Sequence, residues 1–356
     1  MRVRNRLRPF GSAPSLYTGM HMNAETGRQT IDWVLAAKGI GIVLVVAGHF
    51  HPDASPAYWT GIKNVIYAFH MPLFFVLSGY LYTRGTYSYG RLLKVKARRL
   101  LYPFATIAAL SFLIKYAAGT LVPLDHPVTP ASMLALVSGP VDSYMPLLWF
   151  VHALFIIFAV YAPARLYLNN AVIVLIALAF TMVFGSDYPV LGKPLANMPY
   201  FVFGVMLREN GKLSDMAMRS GWRCIAVPLA LFAAAYVIMP CAAGAGIARY
   251  PARLLLGAAG SLFVINASRA LTGRAHKKIS AAVMRVGYYS MTIYLLHTLF
   301  ESTVRIGFLK LLKNAPVPFE CVACIAIACG VAVPLLLEKE VLRKNRIART
   351  FILGLS

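Results

Sequence analysis

Histidine, lysine and glutamate stand inside apolar runs of this sequence, where an ionisable side chain is costly and marks a functional candidate by default. The first such run reads Ile31-Asp32-Trp33 … Lys38-Gly39-Ile40-Gly41 … Gly48-His49. The eleven-residue spacing of Lys38 and His49 returns them, on an α-helix, to within about 20° of one face and about 16 Å apart along the axis. One face thus offers a cation at one depth and an imidazole at another. Gly39, Gly41 and Gly48 allow a second helix or a ligand close to the backbone. A snorkelling lysine with an interfacial histidine is the alternative reading of the same residues.

Four further places carry polar chemistry. In Phe69-His70-Met71-Pro72 … Ser78-Gly79-Tyr80, the proline frees a backbone carbonyl near two polar side chains; a kinked helix with a satisfied histidine is the alternative. Arg84, Arg91, Lys94, Lys96, Arg98 and Arg99 form a basic run before Tyr102-Pro103. It suits phosphate groups or anionic lipid headgroups. His297, Glu301 and Arg305 recur every four residues, so they share one helical stripe on which a carboxylate can orient an imidazole and an arginine can keep that carboxylate ionised. Trp149 and His152 open another run, Trp149 being equally a belt aromatic at the membrane surface. No glycine-rich phosphate loop, zinc signature or nucleophilic serine elbow is present. The available chemistry is therefore histidine acid–base work beside basic anion sites, with no metal.

The elements that position these residues follow from composition. Of 356 residues, 59% are hydrophobic and 13% charged, against about half and about a quarter in soluble domains. The surplus calls for lipid as solvent. Apolar runs lie near 33–50, 64–82, 100–118, 147–161, 170–185, 197–207, 224–243, 252–267, 288–308 and 317–337. A span needs about 20 apolar residues, and in lipid only helices or closed barrels satisfy the backbone. The expected fold is therefore an all-α integral membrane bundle of about ten transmembrane helices. The net charge of +23 is concentrated in alternate connections: the N-terminal tail, Arg84 to Arg99, Arg165, Arg208 to Arg223, Arg269 to Arg285, and Lys339 to Arg349. The other connections hold Lys63, Lys193, Arg249, Lys310 and Lys313 with Asp53, Asp125, Asp142 and Asp187. The positive-inside rule puts the first set and both termini in the cytoplasm, so this charge is a membrane address and no nucleic-acid partner is expected.

Residues 1–30 read as a basic, disordered cytoplasmic tail without the apolar region of a secretory signal. Residues 31–338 read as the transmembrane domain and 339–356 as a basic cytoplasmic tail. The turn-rich stretch 119–146 is the longest connection and a candidate functional loop. Cys224, Cys241, Cys321, Cys324 and Cys329 lie in apolar stretches without metal-ligand spacing, which reads as helix packing.

At these same residues the chain resembles the acyltransferase family 3 membrane proteins, which O-acylate surface carbohydrates. The matching stretches are Ile31-Asp32-Trp33 through Gly48-His49, Phe69-His70-Met71-Pro72 through Tyr80-Leu81, Arg98-Arg99-Leu100-Leu101-Tyr102-Pro103, Leu148-Trp149-Phe150, Phe203-Gly204, and Gly287 through His297. The resemblance implies a ten-helix catalytic bundle, acetyl-CoA as donor and co-substrate, and a catalytic role for His49. Lys38 stands where many members have arginine, as in the branch of fucose O-acetylase-like and exopolysaccharide acetyltransferase members. A lysine there supplies a point charge in place of a bidentate guanidinium.

The expected activity is transfer of an acetyl group from acetyl-CoA to a sugar hydroxyl of a cell-surface, exported or lipid-linked glycan, in the bacterial inner membrane. Lys38, Lys96, Arg98 and Arg99 would hold the donor. His49 would be the general base, or a transient acyl carrier, with His297 and Glu301 as catalytic auxiliaries. His70, Ser78 and Trp149 would meet the substrate. Membrane lipids and polysaccharide assembly machinery are the compatible partners. A glycan transporter or flippase is the alternative function, and it predicts internal repeats that the sequence lacks. A purely structural role in an export complex is a third reading, which leaves His49 and Glu301 without a purpose.

Overall fold

Apolar side chains cover the outside of this protein as well as its interior. Leu113, Leu175, Val183 and Val237 are each more than 60% exposed, on helices whose other faces are packed. Contiguous apolar surface on that scale belongs in lipid. The computed structural model describes residues 29–52, 55–119, 128–138, 143–218, 221–239, 249–273, 277–311 and 318–355, and among them the regular structure is entirely helical. The tail at 1–28, Asp53, Asp125, Asp142, Pro123, Gly139-Pro140, Cys241 and Lys313 lie outside the described residues.

The helices are α1 (Gln29–His49), α2 (Ala57–Tyr80), α3 (Tyr89–Gly119), α4 (Pro130–Ser138), α5 (Trp149–Tyr167), α6 (Asn170–Phe184), α7 (Gly192–Glu209), α8 (Gly211–Ala217), α9 (Arg223–Ile238), α10 (Arg249–Leu271), α11 (Lys277–Tyr288), α12 (Ser290–Leu311), α13 (Phe319–Leu337) and α14 (Arg346–Phe351). In its described residues, each of the ten apolar runs overlaps at least one of these helices. Six stretches are long and apolar enough to cross a membrane: Asp32–His49, Ala57–Tyr80, Tyr89–Ala117, Pro146–Tyr167, Tyr250–Leu271 and Phe319–Leu342. Asn170–Phe184 and Arg223–Ile238 are apolar but shorter.

Four connections contain helix where the sequence suggests loops. The basic run from Arg91 to Arg99 is the first part of α3, because leucine, alanine, lysine and arginine all favour helix and no proline intervenes before Pro103. The segments 208–223 and 269–285 contain α8 and the strongly amphipathic α11. The long connection after α3 contains α4.

Glycines bring the central helices into backbone contact. A Cβ on Gly39 would come 2.1 Å from the Val283 carbonyl oxygen, and one on Gly287 would come 1.8 Å from that of Leu35. The same holds for Gly79 and Gly204, whose added Cβ atoms would each come 1.9 Å from the oxygens of Phe201 and Val76. These small residues are what let α1 cross α11 and α2 cross α7 so closely. The C-terminal tail is also built into the structure. The Tyr102 and Phe351 rings stack at 5.8 Å, Thr106 Oγ1 donates to the Phe351 carbonyl at 3.0 Å, and Arg98 Nη2 donates to the Leu355 carbonyl at 3.3 Å.

Candidate active site

His49 ends α1 and lies on the wall of an open cavity of about 820 Å³. Helix α2 supplies Asn64, Tyr67 and His70 to the same wall, the segment before α5 supplies Leu147, and the first residue of α5 supplies Trp149. Helices α7 and α10 close the opposite side with Lys193, Asn197, Tyr200, Tyr250 and Arg253. Tyr236 and Tyr294 complete the aromatic lining. Flat apolar rings interspersed with hydroxyl and amide groups suit a small polar ligand with both apolar faces and hydrogen-bonding edges.

Four rings form a succession that runs from this wall into the buried interior. His297 and His49 are 5.2 Å apart between centroids, His49 and Tyr67 6.3 Å, and Tyr67 and His70 5.3 Å. Backbone carbonyls orient three of them. His297 Nδ1 lies 3.0 Å from the Ile293 oxygen and 2.9 Å from that of Tyr294, and His70 Nδ1 lies 2.9 Å from the Ile66 oxygen. A carbonyl only accepts, so Nδ1 carries the proton in both rings, and in the neutral imidazole Nε2 is left with its lone pair. The Tyr67 hydroxyl donates to the Gly48 carbonyl at 2.5 Å, which ties α2 to the end of α1 beside His49. Among the described residues His49 itself makes no hydrogen bond, so both its nitrogens remain available to a ligand.

His297 is fully buried, and its Nε2 has no protein partner. Glu301, one turn further along α12, is buried at 4% exposure with Oε2 unpartnered. Its backbone neighbour across the interface is Gly330, whose added Cβ would lie 3.7 Å from the Glu301 Cβ and 2.8 Å from Val46. The expected stripe is thus present but its third member is used elsewhere. Arg305 Nη1 donates to the His51 carbonyl at 3.2 Å, near the end of α1, and forms no ion pair with Glu301 among the described residues.

The basic residues of α3 separate. Lys38, Lys96 and Arg99 lie within electrostatic range of one another, and among the described residues none of the three has an ion-pair or hydrogen-bond partner. Lys96 Nζ rests 3.7 Å above the Phe158 ring. Arg98 instead sends Nη2 to the Leu355 carbonyl at 3.3 Å, while its Nε is buried without a partner. Trp149 is among the residues that line the cavity, whereas Ser78 and His152 are not. Ser78 is eight residues beyond His70, which puts it about 12 Å along the helix and about 80° around it. Among the described residues no group of histidine, cysteine and acid side chains could hold a metal ion.

Reading the residues alone missed Tyr67, Asn197, Tyr200, Tyr250 and Arg253. Tyrosines in an apolar run look like packing. Arg253 does leave a signal, a cation two residues after Pro251 and four after Arg249, at the beginning of an apolar run.

A family model described as an acyltransferase domain matches residues 31–338. No curated protein matches the chain, and no solved structure does.

Proposed function

The chain belongs to acyltransferase family 3 and is an acyltransferase, and on that premise we propose that it moves an acetyl group from acetyl-CoA to a sugar hydroxyl of a cell-surface or lipid-linked glycan. In this reading ten helices cross the bacterial inner membrane and both termini are cytoplasmic. The observation that carries the proposal is the position of His49, a hydrogen-bond-free imidazole on the wall of an aromatic cavity, beside a second histidine whose free nitrogen faces no protein partner.

Acetyl-CoA supplies the activated acyl group. Lys38, Lys96 and Arg99 fit its phosphates, since three mutually repelling cations without counter-ions favour an anionic ligand. At the cavity, Trp149, Tyr67 and Tyr200 offer ring faces to a sugar, and Asn64 and Asn197 offer amide groups to its hydroxyls. His49 takes the proton from the attacking hydroxyl oxygen and returns it to the departing sulfur. Each is a proton transfer that an imidazole performs near neutral pH. While His49 carries that proton, the lone pair of His297 Nε2 is available to accept a hydrogen bond from it, and the Glu301 carboxyl lies one turn further along α12. His70 presents its own Nε2 to the cavity, where it accepts a hydrogen bond from a second hydroxyl and orients the sugar.

Substitution His49→Ala tests this. General-base catalysis contributes about 10²- to 10⁴-fold, so glycan acetylation in vivo, and transfer by protein in lipid nanodiscs, should fall by that factor at unchanged protein abundance. Undiminished transfer by a normally inserted His49→Ala protein would reject His49 as the base.

A further inference from the structure

The cavity has one feature that proton transfer does not use: two cations at its mouth. Lys193 stands on the first turn of α7 and Arg253 on the second turn of α10, and both line the cavity. The nearby acid is Asp187, whose carboxylate accepts a hydrogen bond from Lys193 Nζ at 2.6 Å. One acid against two bases leaves the mouth with a charge of +1. Arg253 is exposed, and among the described residues its guanidinium has neither an ion pair nor a hydrogen bond.

The backbone around these cations is fixed without spending their head groups. The Tyr200 hydroxyl donates to the Arg253 carbonyl at 2.8 Å, and the Tyr250 hydroxyl donates to the Ala196 carbonyl at 3.1 Å. Those two bonds stitch the start of α10 to the start of α7. Gly257 makes room for the first, since a Cβ there would come within 2.5 Å of the Tyr200 oxygen. Asn197 Nδ2 donates to the Lys193 carbonyl at 2.8 Å, leaving its amide oxygen free. A charged head group held ready on a fixed backbone loses little freedom when a ligand arrives.

Topology does not account for this pair. On the proposed extracytoplasmic side, cations are scarce because the positive-inside rule concentrates them on the other face. Two of the few converge on one opening.

We propose that the acceptor of this enzyme is anionic, and that Arg253 and Lys193 bind a carboxylate or phosphate group it carries. The proposal rests on the acyl-transfer reading for the word acceptor, but the anion site stands on its own geometry. Arg253 presents a planar fork that a carboxylate or a phosphate meets with two parallel hydrogen bonds, and Lys193 adds a point charge. An acidic sugar would bring the carboxylate. A phosphorylated lipid carrier would bring the phosphate.

The test uses the full chain in nanodiscs of phosphatidylcholine, with three probes measured by titration calorimetry: a glucuronate-terminated disaccharide, its methyl ester, and glucose 1-phosphate. A charge-assisted contact should make the acid bind about tenfold more tightly than its neutral ester, with a preference that shrinks as salt rises. Arg253→Gln should abolish the preference and Arg253→Lys should keep part of it. If Arg253→Gln does not fold, Lys193→Gln serves in its place with a smaller reduction. Tighter binding of the disaccharide identifies the carboxylate source, and tighter binding of the sugar phosphate identifies the phosphate source. Equal affinity for acid and ester, with no tighter binding of the sugar phosphate, overturns the proposal. So does a preference that survives in Arg253→Gln, or displacement of the acid by phosphatidylglycerol in the disc, which would make a lipid headgroup the occupant. Acetyl transfer is measured in the same preparations. Binding of an anionic probe without any transfer sinks the acyl-transfer reading alone, and transfer without a preference for either anionic probe sinks the anion site alone.

Discussion

The last turn of the first helix, at His49, and its middle, at Lys38, bring together different kinds of chemistry. At the His49 end, the imidazoles of His70 and His297 are held by backbone carbonyls, and tyrosine hydroxyls tie neighbouring helices together. Around Lys38, three cations converge without an acid beside them among the described residues. The first arrangement fixes direction, because a ring whose Nδ1 is spent can only present Nε2. The second arrangement fixes charge and leaves the long side chains to adapt. A proton-transfer site needs the former, while a polyphosphate can be held by the latter. The contrast predicts that substitutions in the two regions will separate in kcat and KM.

The largest effect after removal of His49 should come from His297. Its free nitrogen is worth a charge-assisted interaction with the protonated base, about 1.5 to 3 kcal/mol. At about 1.4 kcal/mol per factor of ten, His297→Phe should lower kcat by roughly ten- to a hundredfold and leave the KM for acetyl-CoA unchanged. A rise in that KM with kcat preserved would break the division between the two regions.

In the basic region the prediction distinguishes two neighbours. Arg99→Ala should raise the KM for acetyl-CoA by about tenfold, the value of one charged contact, and the penalty should diminish as salt screens the wild-type site. Arg98→Ala should leave that KM alone and lower the thermal midpoint instead, because Arg98 holds the C-terminal tail through the Leu355 carbonyl. Gly354 is part of the same joint, with φ +62° and a position 2.5 Å from the Arg98 oxygen for an added Cβ. Equal KM effects from Arg98 and Arg99 would return both to the donor site.

That pair also marks how far the sequence could be read. Adjacent helix residues point about 100° apart, so one serves the cluster and the other the tail, and no property of the dipeptide says which. The spacing of Lys38 and His49 did carry their separation in depth, since both sit on one uninterrupted helix. The apolar runs located the helices, because lipid demands continuous hydrophobic stretches. His297 and Glu301 were legible for the same reason, as polar groups where polarity is costly. Arg305 was not, because its partner is a backbone carbonyl just beyond the end of α1. The cavity's tyrosines were invisible too, as ring and hydroxyl are equally at home in a packed core. What joined them to Arg253 is a fold-level contact between α7 and α10.

The smallest expected effect is at the cavity mouth, and it asks whether the His49 end also contains a tunable charge. The Lys193 hydrogen bond, reinforced by its positive charge, holds the Asp187 carboxyl below its usual range. A depressed folded-state value means the pair stabilises the fold above the unfolded value of about 3.9 and stops doing so as pH falls through the lowered one. The Asp187 side chain is 84% exposed, so the contribution stays under about 1 kcal/mol. Asp187→Asn should therefore lower the thermal midpoint only slightly at pH 7, and the difference from wild type should vanish in strong acid. Binding should change in the opposite sense, because removing the carboxylate raises the charge of the mouth from +1 to +2 and frees Lys193 for an acidic ligand. Tighter binding of the glucuronate probe with nearly unchanged stability would mean that the acid tempers a binding site. A large loss of stability that persists in acid would mean that Asp187 and Lys193 hold the loop before α7 in place, and the cations of the mouth would then divide as Arg98 and Arg99 do, one for structure and one for the ligand.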